Sequence, residues 1–246
     1  MQLYTLREMA AADWVGTLKT VAEIGFDGIE TAGLYDQKPA DFRKVADDLG
    51  LKVCAAHGPF PVPDKAREIA EMCAALGCKF YVIPWLHRWH FESAGSIARV
   101  AAAVQAAADL LKAQGIQLAY HNHEHEMVVV DGEIALARLY DMAPGVAGEI
   151  DIYWATNFGQ TDAPAFVRRF AKRTPLLHIK DGVFDRSARV HVAVGAGKVD
   201  IPALIAAADP AVLEWLIVEL DNCKTDMLAA VRESHAYLKS LGTPIS

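Results

Sequence analysis

Short apolar runs alternate with helical periodicities along the whole chain, the pattern of successive βα units around a parallel sheet. Strands are predicted at residues 2–5, 28–31, 52–56, 80–84, 117–121, 148–152, 176–179 and 215–220. Between them, "DKAREIAEMCAALG" puts Ile69, Met72, Cys73 and Leu76 on one helical face, with Asp64 near its start and Gly77 as a stop. "ADFRKVADDLG", "IARVAAAVQAAADLLKAQG", "EIALARLYDM", "DAPAFVRRFAKR" and "TDMLAAVRESHAYLKSLG" repeat the pattern.

Eight units in 246 residues average about 31 residues each, close to the roughly 30 that a βαβ unit needs. That suits an α/β (β/α)8 TIM barrel of one domain over residues 1–246, although a doubly wound sheet shares the local pattern. The polar residues separate the two, because barrel enzymes collect functional groups at the C-terminal ends of their strands. Here those ends read "AAHGPF", "YHNHEHE", "EIDIYW", "HIKD" and "VELDN".

Composition narrows the partners. At 53% hydrophobic and 22% charged the chain is an ordinary globular protein, and it contains no run of about 20 apolar residues that would span a membrane. Arg7, Glu8 and Asp13 interrupt the stretch where a signal peptide would be apolar, so a cytoplasmic location is expected. Cys54, Cys73, Cys78 and Cys223 lack the spacing of a zinc site or disulfide framework. A net charge of −7, with no basic run, disfavours nucleic acid and favours a small substrate. Association into a homo-oligomer is compatible with all of this.

The chemistry lies in the last strands. Asp151 interrupts an apolar strand, with Glu149 and Tyr153 expected on the same face; His178 and Lys180 share a face, and so do Glu219 and Asp221. A carboxylate buried there needs a cation or several hydrogen bonds. Asp151, His178 and Glu219 at three consecutive strand ends form a set that suits one divalent ion, Mn²⁺, Mg²⁺, Co²⁺ or Zn²⁺. If His121 points inward, it joins them as fourth ligand, with Glu126 as its competitor or as a proton-transfer group. Asn122, His123, His57 and Trp154 are the expected substrate contacts, Trp85 and Trp154 serving as aromatic walls. Lys180 is either a charge partner of Glu219 or Asp221, or an electrophile or acid beside a developing oxyanion. "AVGAGK" contains Gly-x-Gly but lacks the rest of a dinucleotide fingerprint.

With "GFDGIET", "YHNHEHE", "EIDIYWA", "HIKDG", "VGAGKVDIPALI" and "WLIVELDN" in this order, nearly the whole chain resembles the xylose-isomerase-like TIM-barrel superfamily of sugar phosphate isomerases/epimerases, inosose dehydratases and endonuclease IV. The resemblance implies one divalent metal held from the last four strands, matching Asp151, His178 and Glu219. Two departures are visible. His121 stands where the epimerases usually carry a glutamate, which points towards the inosose dehydratase-like branch. The endonuclease pattern of Asp-x-x-His after strand 6 and a histidine at strand 4 is replaced by Asp151-x-x-Trp154 and by Pro84. The expected function is a metal-dependent isomerase or epimerase acting on a sugar, keto-sugar or cyclitol through an enediolate, with Glu219, Lys180 and Glu126 as candidate catalytic groups. Dehydration on the same site, a non-catalytic sugar-binding barrel and an apurinic endonuclease are the alternatives.

Overall fold

Seven parallel strands pair in chain order in a computed structural model that describes residues 1–242: β1 (Gly28–Ala32), β2 (Lys52–His57), β3 (Phe80–Ile83), β4 (Gln117–His121), β5 (Ala147–Asp151), β6 (Leu176–Ile179) and β7 (Trp215–Val218). Met1 and Gln2 span the gap between β7 and β1. The Gln2 amide donates to Val218 O at 3.0 Å, and the Glu30 amide donates to Met1 O at 2.9 Å. With helices outside the sheet, this is the expected TIM barrel.

The strand predicted over residues 2–5 is reduced to that one bridging residue. Gln2 Oε1 accepts the Tyr4 amide at 3.0 Å and starts a 3-10 turn over Leu3–Leu6. Leu3 and Leu6 lie three apart, on one edge of such a turn, so both enter the core. The strand predicted over 148–152 also stops early. Asp151 Oδ1 accepts the Trp154 amide at 2.9 Å and caps the short helix Ile152–Ala155. Tyr153, expected beside Asp151, therefore leaves the inward face, and its hydroxyl donates to Val183 O at 2.9 Å.

The outer helices follow the sequence signals. Ala66–Leu76 ends at Gly77, whose φ of 75° lets its amide turn back to Ala74 O while the Cys78 amide reaches Cys73 O. Ala94–Lys112 is the one described helix long and apolar enough, by composition, to cross a membrane; here its apolar face, from Ile97 to Leu111, packs in the core.

A parallel barrel covers its strands on both faces, so their apolar content is nearly continuous and any inward polar group needs a partner. Phe80, Val82, Ala119, Ala147, Leu176 and Ile217 form a compact apolar cluster of their own. Two residues further along four of these strands, the same inward rows become His121, Glu149, His178 and Glu219. The apolar plug thus floors an ionisable layer at the C-terminal mouth. Two short antiparallel hairpins, Val129–Val130 with Glu133–Ile134 and Asp181–Gly182 with His191–Val192, lie beyond the strand ends.

Candidate functional site

His178 stands at the centre of this layer and is fully buried. Its Nδ1 lies 2.9 Å from Glu219 Oε2, and its Nε2 lies 2.7 Å from Glu30 Oε2 and 3.2 Å from Glu149 Oε2. His57 Nε2 sits 2.7 Å from Glu149 Oε2 and 3.3 Å from Glu30 Oε1. Burial would discharge His57, but Glu30 and Glu149 outweigh it and raise its pKa to about 10. The same contest, with Glu149, Glu30 and Glu219 prevailing over burial, holds the His178 pKa well above that of free imidazole.

Lys180, one residue past the end of β6 and two after His178, is a second node. Its Nζ lies 3.0 Å from Asp151 Oδ2, 3.0 Å from Glu219 Oε2 and 3.0 Å from Asp221 Oδ2. Burial opposes the ammonium, yet the three carboxylates raise its pKa. Lys180 is thus charge partner to both Glu219 and Asp221, and to Asp151 as well. Burial also pushes the Asp151 pKa up to about 6, against the pull of Lys180. His191 Nδ1 accepts the Asp221 amide at 3.0 Å, tying the loop after β6 to the end of β7.

The strand end that begins "YHNHEHE" divides. His121 faces the site, its Nε2 3.8 Å from Glu219 Oε2 and its Nδ1 3.5 Å from Glu149 Oε2. Burial, then the nearby His178 charge, keeps it neutral. Asn122 turns sideways and ties β4 to β5: its Oδ1 accepts the Asp151 amide at 3.0 Å and its Nδ2 donates to Asp151 O at 3.4 Å. Glu126 is not brought to the ionisable layer. Its carboxyl is enclosed, accepting from the Tyr120 hydroxyl at 2.5 Å and the His123 amide at 3.0 Å.

Above the layer opens a cavity of about 370 Å³ lined by Tyr4, Ala32, His57, Pro84, Trp85, His121, His123, Glu219 and Asp221. His57, His123 and the half-exposed Trp85 are thus brought to its walls. Trp154 does not line it: the indole is buried, with Lys180 Nζ 5.4 Å from its ring centre.

One ligand atom each from His121, Asp151, His178 and Glu219 lies within 4.8 Å of the others, and His57, His121, Glu149 and His178 satisfy the same measure. The first set fits a divalent cation. It mixes two carboxylates with two imidazoles, and Asp151 Oδ2 is buried without a hydrogen-bond partner, having only the unaligned ammonium contact. The second set has three imidazoles and one carboxylate, and a bond already joins two groups in each set: His57 and Glu149 at 2.7 Å in the second, His178 and Glu219 at 2.9 Å in the first. Glu30 was not expected from the sequence, although, like Asp151, it is an acid inside an otherwise apolar strand, in "GFDGIET".

The profile of the xylose isomerase-like TIM barrel matches residues 18–241. No curated protein matches the sequence significantly. Among solved structures, a sugar phosphate isomerase/epimerase from Parabacteroides distasonis is 25% identical, with a TM-score of 0.81 over 99% of this chain and 93% of that one. A probable 3-DHS dehydratase from Bacillus anthracis shares the fold at 11% identity, with a TM-score of 0.75 over 97% of each chain. So does a D-allulose 3-epimerase from a Methylomonas species, at 17% identity and a TM-score of 0.67 over 94% of this chain and 92% of that one.

Proposed function

The chain belongs to the xylose isomerase-like TIM barrel family, and on that premise we propose that it is a divalent-metal-dependent enzyme of the isomerase and epimerase type, acting on a sugar, keto-sugar or cyclitol. The observation that carries this reading is the convergence of His121, Asp151, His178 and Glu219, from four consecutive strand ends, within 4.8 Å below an open cavity. His121, rather than Glu126, is the fourth holder.

A divalent cation held there supplies Lewis-acid polarisation of a carbonyl and its neighbouring hydroxyl, which stabilises the charge that develops when the α-proton leaves. The chain's own groups handle the proton. Glu219, whose carboxylate lines the cavity, takes it from the α-carbon. Lys180, 3.0 Å from Glu219 Oε2, returns a proton to the nascent oxyanion or the next carbon, and Asp221 holds that ammonium in place. His57 and His123 meet substrate hydroxyls, and Trp85 offers the flat apolar face on which the C–H side of a sugar ring packs. Glu126 and Asn122 hold His123 and β5 rather than touching substrate.

Dehydration of a keto-sugar or inosose is a second reading, favoured by the Lys180 ammonium: the same acid can protonate a departing β-hydroxyl after the α-proton is removed. Incubation with Mn²⁺ and a panel of sugars and 3-keto-sugars in D₂O tests both. Deuterium at the α-carbon, lost in Glu219→Gln, is the expected result; water loss and a new enone absorption identify the dehydratase. No exchange from any candidate, with Glu219→Gln indistinguishable from wild type, would sink the enzyme reading.

A further inference from the structure

An imidazole that ligates a metal uses one nitrogen and must place the other N–H somewhere; in a buried site that second partner fixes ring orientation and tautomer. His178 offers two candidate sides. Nδ1 faces Glu219, one of the four proposed holders, and Nε2 faces Glu30 at 2.7 Å. Glu30 is itself fully buried and held: Gln2 Nε2 donates to its Oε2 at 2.8 Å, and His57 Nε2 lies 3.3 Å from its Oε1. It belongs to neither group of converging ligand atoms.

We propose that Glu30 is the positioning residue for His178: it accepts the Nε2–H, fixes the ring, and leaves Nδ1 as the nitrogen presented to the cation. Gln2, in the segment that closes the barrel, anchors the Glu30 carboxylate from behind. This rests on the cation reading above and adds to it a buried carboxylate, Glu30, that touches neither metal nor substrate. The geometry separates its role from that of a ligand. Oε2 already accepts from both Gln2 and His178, and β1 places the residue on the Nε2 side of the ring, opposite Glu219.

Titration of the chelator-treated protein with Mn²⁺, read as free Mn²⁺ by electron paramagnetic resonance, is the test. Wild type binds one equivalent. Glu30→Gln keeps a neutral acceptor of the same shape and loses about 10-fold in affinity, and Glu30→Leu loses about 100-fold, the range such partners carry. Gln2→Ala, which frees the Glu30 carboxylate without touching His178, gives a smaller loss. If Glu30→Leu does not fold, the folded Glu30→Gln protein decides. A Glu30→Gln protein with wild-type melting temperature and wild-type Mn²⁺ affinity overturns the proposal. So does a ¹⁵N-histidine spectrum of the Zn²⁺-loaded wild type in which His178 carries its proton on Nδ1. Wild type without Mn²⁺ binding overturns the cation reading itself, and this inference with it.

Discussion

At the scale of single residues, burial dominates but does not always win. Glu126 and His57 are both enclosed, and for both the largest effect is desolvation of the charged form. His57 faces two carboxylates and stays charged. Glu126 has beside it only the His125 imidazole, 3.2 Å away and itself pushed towards the neutral form by burial, and the bonds from Tyr120 and His123 do not offset burial, so its pKa rises to about 8. A neutral acid at pH 7 is a poor competitor for a cation, which agrees with its place outside the converging groups. The sign of the linkage follows. Between about 4.5, the value of an unperturbed glutamate, and about 8, the folded state holds a proton that the unfolded state has released, so stability falls as pH rises. The slope is up to about 1.4 kcal/mol per pH unit. In Glu126→Gln the amide oxygen accepts from the His123 amide and the NH₂ donates to Tyr120, so the contacts survive without the titration. Unfolding by urea from pH 5 to pH 8 should show the variant gaining on wild type as pH rises, and parallel curves would refute the assignment.

At the scale of elements, the loop after β6 explains why its glycines do not make a nucleotide site. The Asp181 carboxylate, fully buried, accepts from the amides of Gly182 at 2.8 Å, Gly195 at 3.0 Å, Gly197 at 2.9 Å and Val199 at 3.1 Å. These amides form the kind of concavity that elsewhere binds an anion, and here the chain's own side chain fills it. Gly197 is required by that approach, because a Cβ there would come within 2.1 Å of Asp181 Oδ1. Removing the carboxylate strands several buried donors at once, so Asp181→Ala should cost about 2–4 kcal/mol. Amide exchange at residues 195–199 should accelerate most. If exchange rises evenly over the whole chain instead, Asp181 is not the anchor of this loop. The consequence reaches the site, since His191 on the same loop accepts the amide of Asp221, a partner of Lys180.

At the scale of the whole molecule, the periodic parts of the barrel were legible because period-2 and helical patterns report burial that recurs at every unit. The rows Asp151, His178–Lys180 and Glu219–Asp221 were legible for a related reason: parity along a strand fixes which face a polar residue shares with its neighbour. Gln2 and Glu30 were not, because a one-residue strand has no period and a single acid on β1 gains its meaning only from His178, distant in sequence. The same long-range gathering has an energetic cost. Glu30, Glu149, Asp151, Glu219 and Asp221 crowd one barrel mouth, with His57, His178 and Lys180 as the positive charges directly among them. A divalent cation bound there ties β4, β5, β6 and β7 together and binds only the folded chain, so it stabilises by mass action: about 2.7 kcal/mol at a free concentration 100 times the Kd. For a domain of this size that raises the melting temperature by roughly 5 to 10 °C. Mn²⁺ should produce this shift in the chelator-treated protein, excess EDTA should reverse it, and His178→Ala should abolish it while melting cooperatively. A wild-type melting temperature indifferent to every divalent ion would mean that Lys180 and the two charged histidines already neutralise the mouth and leave a cation nothing to gain.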